Sequence, residues 1–175
     1  MESEIKKKGF NIVLKVLLSS LALAVLLYVA LHARIDLKYH TFKGFRMDSA
    51  SSFYSDEGCS VISYPLYFFT CNSYVEKEYN NTEWGSITAR LVVNEDLFGR
   101  RMIRITIHDE NYVQSVTFSI TKDNRMTRAL STTTPLSEQE KERVKLNDAY
   151  ITDILEEGNR IWDLELDYNN MKFID

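Results

Sequence analysis

Ser86 to Thr121, SITARLVVNEDLFGRRMIRITIHDENYVQSVTFSIT, decides the fold. Ile87, Ala89, Leu91 and Val93 fall on one side of an extended chain, with Thr88 and Arg90 on the other. Ile103, Ile105 and Ile107 alternate in the same way with Arg104, Thr106 and His108. Val116, Phe118 and Ile120 alternate with Thr117, Ser119 and Thr121. Polar turns separate the runs at 94–99, 109–111 and 122–124, and Met126, Arg128 and Leu130 carry the pattern on. Successive side chains of a strand point to opposite faces, so this pattern predicts an antiparallel meander with one face buried and one wet.

C-terminal to the meander, Pro135 ends the strands. Ser137 followed by Glu140 forms a capping box, which predicts a helix from Ser137 to Glu157 with Gly158 as its stop. Val144, Ile151, Ile154 and Leu155 mark its apolar face, and Asn147-Asp148 is a candidate break. Trp162, Leu164, Leu166 and Tyr168 then alternate with Asp163, Glu165 and Asp167, which reads as a strand with an acidic outer face. Met171 to Ile174 reads as a short closing strand. The package expected is α+β: a mainly antiparallel sheet, curved or small and barrel-like, with one C-terminal helix and a final strand.

On the N-terminal side, CSVISYPLYFFTC (59–71) reads as two short strands about a turn, interrupted by Pro65. Cys59 and Cys71 are the chain's two cysteines. In an oxidising compartment an even pair suggests a disulfide, worth about 3 kcal/mol for a loop of this length; two buried thiols are the alternative. Tyr64, Tyr67, Phe68 and Phe69 form an aromatic cluster, read either as core or as a candidate ligand or partner surface. Residues 34–56 are a juxtamembrane segment, a first strand or a stalk.

Val16 to Ala33, VLLSSLALAVLLYVALHA, holds no Asp, Glu, Lys or Arg. Eighteen helical residues span about 27 Å, close to the hydrocarbon thickness of a bilayer. Lys6, Lys7, Lys8 and Lys15 precede it and place residues 1–15 in the cytoplasm by the positive-inside tendency. A cleaved signal peptide has a shorter apolar core and a small-x-small end, which VLLYVAL after Ala24 does not provide. The organisation expected is therefore tail (1–15), membrane helix (16–33), juxtamembrane segment (34–56) and β-rich outer domain (57–175).

Beyond the helix, 17 basic residues stand against 23 acidic ones, which argues against nucleic acid and against an anionic lipid surface. The chain has no GxSxG, HExxH, P-loop or GxGxxG, so neither an enzyme nor a cofactor is expected. Its histidines, His32, His40 and His108, lack metal-ligand spacing; His40 and His108 are candidate pH-sensing groups. Asp163, Glu165 and Asp167 read first as a solubilising face and second as a cation site. Asn80-Asn81-Thr82 matches the short glycosylation pattern.

The layout resembles the ToxS-like co-regulators. Its carriers here are RRMIRITIHDENYVQSVTFSI (100–120), SEQEKERVKLNDAYITDILEE (137–157) and IWDLELDY (161–168). The resemblance implies a single-pass protein of the bacterial inner membrane with a periplasmic domain. It also implies a heterodimer with the outer domain of a bitopic transcription regulator, and a small amphipathic ligand between the two. No family motif maps residue by residue onto this chain. The alternatives are an anchored immunity protein, whose acidic strand would block a secreted toxin, and an accessory subunit of an envelope complex.

Overall fold

The computed structural model describes residues 2–40, 45–49, 52–55, 59–67, 70–81, 85–96, 98–111, 115–129 and 131–174, with side chains for 11–34, 37, 59–61, 72–80, 85–96, 98–111, 115–129 and 131–174. The first element is a helix, α1 (Glu2–His40), and within it Asn11–Arg34 is long and apolar enough to cross a membrane. No residue of the most apolar part of that span is buried by the rest of the chain. The apolar span is wider than 16–33, and the helix runs on through the first residues of the juxtamembrane segment; the strand expected within 34–56 is present further on, at Phe45–Ser49 and again at Ser52–Ser55.

Strands follow in chain order: β1 (Phe45–Ser49), β2 (Ser52–Ser55), β3 (Cys59–Tyr67), β4 (Thr70–Asn81), β5 (Gly85–Asp96), β6 (Arg101–Asp109), β7 (Val116–Ile120) and β8 (Arg125–Arg128). Each pairs antiparallel with the next. A two-residue strand, β9 (Lys172–Phe173), closes the order parallel to β8. The sheet is open, with β1 and β9 at its edges. The meander read from Ser86 to Arg128 is present, and β3 and β4 extend it. Pro65 does not turn the chain. It lies where the β3–β4 register shifts, between Tyr64 and Tyr67, because proline cannot donate to the ladder.

The buried face follows from register. Val61, Val75, Leu91, Ile105 and Phe118 are cross-strand neighbours in one row and are all fully buried. Ile87, Ala89, Val93, Ile103, Ile107, Val116 and Ile120 flank that row. Two helices cover this face, α2 (Glu138–Leu146) and α3 (Asp148–Trp162), through Val144, Ile151, Ile154, Leu155 and Trp162.

The single helix expected over 137–157 is thus two. The capping box forms, with Ser137 Oγ accepting from Glu140 N–H and Glu140 accepting from Ser137 N–H. Asn147 breaks the helix: its N–H and side-chain Nδ2 both donate to the Arg143 carbonyl. Gly158 is not a stop. It lies inside α3, where a Cβ would stand 3.0 Å from Leu91 Cδ1, so its bareness sets how closely α3 approaches β5. The stop is Asp163, in the left-handed conformation at φ 51°, with its N–H bonded to the Asn159 carbonyl.

The strand expected over 162–168 does not form. Leu164 and Leu166 do point inward and Asp163, Glu165 and Asp167 outward, as the alternation implies. However, Glu165 also takes a positive φ of 59°, which a ladder does not accommodate. Asn159 supplies the missing ladder partner, donating to the Leu166 carbonyl and accepting from its N–H. A short 3₁₀ turn at Tyr168–Asn170 leads into β9.

Candidate functional site: the sheet face opposite α2 and α3

With α2 and α3 on one face, the residues between the buried positions line the other: Tyr74 and Glu76 on β4, Arg90 and Val92 on β5, Arg104, Thr106 and His108 on β6, and Thr117 and Ser119 on β7. Most are half-buried by their own neighbours. Arg90 bridges two residues of this face. Its guanidinium lies 4.9 Å from the centre of the Tyr74 ring, and its Nε donates to Glu76 at 2.6 Å. Thr117 donates to Thr106 across the β6–β7 ladder at 3.3 Å. Arg104 Nε is buried and has no hydrogen-bond partner among the described residues. At the β6–β8 end a cleft of about 580 Å³ is lined by Met102, Ser119, Ile120, Lys122, Arg125 and Ile174.

A second polar cluster lies between α3 and β4. Lys77 donates to Asp153 at 2.7 Å, and the Tyr79 hydroxyl donates to the same carboxylate oxygen. Tyr150 packs on Tyr79 with ring centres 4.9 Å apart. Nearby, Arg160 pairs with the buried Glu157 at 2.6 Å. Burial pulls Asp153 upward, but the hydrogen bonds from Lys77 and Tyr79 outweigh it and hold its carboxyl below the usual range. Burial likewise works against the charge on Lys77, and the Asp153 bond outweighs it and raises the ammonium pKa. Burial and then Asp153 push the Tyr79 phenol well above its ordinary value. Burial, followed by the Glu157 charge, pushes the Cys59 thiol up to about 11. Each shift holds a group in its resting protonation state, which suits a polar clamp between helix and sheet better than acid–base or thiolate chemistry.

The register of the sheet is incompatible with the expected Cys59–Cys71 disulfide. Antiparallel register sets Cys59 opposite Lys77, six positions along β4 from Cys71, which itself pairs with Glu95 of β5. Six strand residues span about 20 Å, several times the Cα separation that a disulfide bridges. Proximity in sequence suggested the bridge, and the length of the β3–β4 hairpin defeats it.

Tyr64 and Tyr67 lie in β3, but their side chains are outside the described residues, as are Phe68 and Phe69 altogether. His40 ends α1, its side chain likewise undescribed. His108 stands on the same face as Arg104, opposite Thr88, at the end of β6 remote from Arg101. The acidic trio does not converge. Asp167 is committed to Asn169 N–H and Asn170 Nδ2, and no group of three metal-ligating side chains occurs among the described residues. What the sequence reading missed is the Arg90, Tyr74, Arg104 surface; the polar phase of the period-two pattern contained it. No protein-family model matches the chain, and neither a curated protein nor a solved structure matches it significantly.

Proposed function

We propose that this chain is a membrane-anchored binding protein whose β-rich domain pairs, outside the cytoplasm, with the outer domain of a membrane-bound transcription regulator. The observation that carries this reading is the sheet face opposite α2 and α3, where the half-buried Tyr74, Val92 and Arg104 stand in one cross-strand row and Arg90 lies over the Tyr74 ring. A receiving surface of aromatic and arginine side chains suits a protein partner. The exposed apolar span supports anchoring next to such a partner. The layout shared with ToxS-like proteins favours a bitopic regulator over other membrane proteins. A small amphipathic ligand at the joint, and a pH response through His108, belong to the same reading.

The test is cross-linking of the full-length protein in its native membrane, capture, and mass spectrometry of what is bound. A single-pass protein with a cytoplasmic DNA-binding domain, lost on Arg104→Glu, supports the reading. A secreted toxin or an envelope machine in its place overturns it.

A further inference from the structure

The β5–β6 turn lies where the membrane span ends. Arg34 closes the apolar span, and its guanidinium lies over Gly99, 3.7 Å from where a Cβ on that glycine would stand. Leu31, one turn earlier in α1, packs against the core of the sheet domain. This end of the domain is thus held at the level of the span's last turn.

The described residues of the turn are tied to Asp96, and one large apolar side chain among them stands out. Asp96 Oδ1 accepts from the N–H groups of Phe98 and Arg100, both at 2.9 Å, and Gly99 at φ 76° closes the bend. Phe98 projects from it at 76 % exposure, the most exposed large apolar side chain among those described. A lone exposed phenylalanine is ordinary by itself; what sets Phe98 apart is its place beside the end of the membrane span. The adjoining turns, 96–101 and 121–125, carry four bases (Arg100, Arg101, Lys122, Arg125) against two acids, on a domain that is net acidic; Arg100 pairs with Asp96 and Arg101 with Glu95, and the exposed Arg100 keeps further N–H groups to offer. Aromatic tips flanked by Arg and Lys are what a lipid–water interface accepts, the ring among the upper acyl chains and the cations among phosphates.

We propose that the β5–β6 turn is a second membrane contact, in which Phe98 enters the interface beside α1 and Arg100 and Lys122 meet phospholipid headgroups. The domain then lies down on the bilayer that α1 crosses. This rests on α1 spanning the membrane, and the test separates the two claims.

Full-length protein is reconstituted into vesicles of zwitterionic and anionic phospholipid, as Phe98→Trp and, separately, Leu26→Trp in the span. Each is compared with the parent carrying only Trp84 and Trp162. The expected result for Phe98→Trp is an added blue-shifted emission, quenched by lipids brominated near the headgroup and shielded from iodide. The added emission of Leu26→Trp should be quenched by deep bromines. A red, iodide-quenched emission from Phe98→Trp, alongside lipid quenching in Leu26→Trp, overturns the contact and leaves the anchor standing. A Leu26→Trp emission untouched by brominated lipid overturns the anchor and the contact with it.

Discussion

Asn159 holds Leu166 by both backbone groups: its Nδ2 donates to the Leu166 carbonyl at 2.6 Å, and its Oδ1 accepts from the Leu166 N–H at 2.9 Å. One side chain thus does for the 163–167 segment what a neighbouring strand would do. Asn159→Ala leaves two backbone groups unpaired beside the buried Leu164 and Leu166, an expected loss of about 1–3 kcal/mol. Asn159→Asp keeps an acceptor for the N–H but sets a carboxylate against the carbonyl, and should destabilise as well. Denaturant melts of both variants in detergent check this; an unchanged midpoint for Asn159→Ala contradicts the clamp.

At Gly158, α3 comes so close to β5 that an added Cβ would meet Leu91. Alanine improves helix propensity by about 1 kcal/mol. Against this, its methyl would stand 3.0 Å from Leu91 Cδ1 and 3.3 Å from Leu164 Cδ1, both on buried side chains, and overpacking of this kind costs about 1–3 kcal/mol. Gly158→Ala should therefore lower stability slightly and Gly158→Val severely. Leu91→Val combined with Gly158→Ala should recover part of the loss, seen as a non-additive double-mutant cycle.

The Lys77–Asp153 pair makes stability depend on pH in a defined direction. Asp153 has its pKa lowered by folding, so its contribution is present above the unfolded value of about 3.9 and is lost as pH falls through the lower folded value. Lys77, raised, contributes fully below the unfolded value of about 10.4 and loses that contribution as pH climbs through the higher folded one. Thermal melts from about pH 2 to pH 11 should show the acid flank in full and the onset of the alkaline one. In Asp153→Asn the acid flank should flatten and the alkaline one shrink. An acid flank of undiminished size in that variant would falsify the assignment.

Cys59, fully buried and with its pKa pushed up to about 11, should resist alkylation in the native state. Mass spectrometry without reductant should show no Cys59–Cys71 bridge, and Cys59 should take up maleimide only once denaturant opens the β3–β4 region. A native Cys59–Cys71 bridge would sink the register reported for that hairpin.

The sheet was legible because period-two alternation and burial share one cause, visible in Ile103, Ile105 and Ile107. The capping box at Ser137 and the Asn147 break are likewise local chemistry. Misreadings arose where a distant partner decides the local form. Gly158 has the composition of a helix stop but is selected by Leu91, far away in sequence. The 162–168 alternation sorts its faces correctly, yet it is diverted from the ladder by Asn159 and by positive φ at Asp163 and Glu165. Cys59 and Cys71 look adjacent until the register is counted. The Arg90, Tyr74, Arg104 surface was present as polar positions of the meander, but only the placement of both covering helices on the opposite face singles those positions out.

The order of elements also sets a timetable. Every strand from β1 to β8 precedes α2 and α3, so a chain growing from its N-terminus lays down the isoleucine-rich face before the helices that cover it exist. Until Ile151, Ile154 and Trp162 emerge, that face is sticky and unprotected while α1 is already made. A chain stalled or truncated before Asp148 should therefore aggregate or recruit chaperones. In such a protein the segment from Asp148 onward acts as the safety catch of its biogenesis.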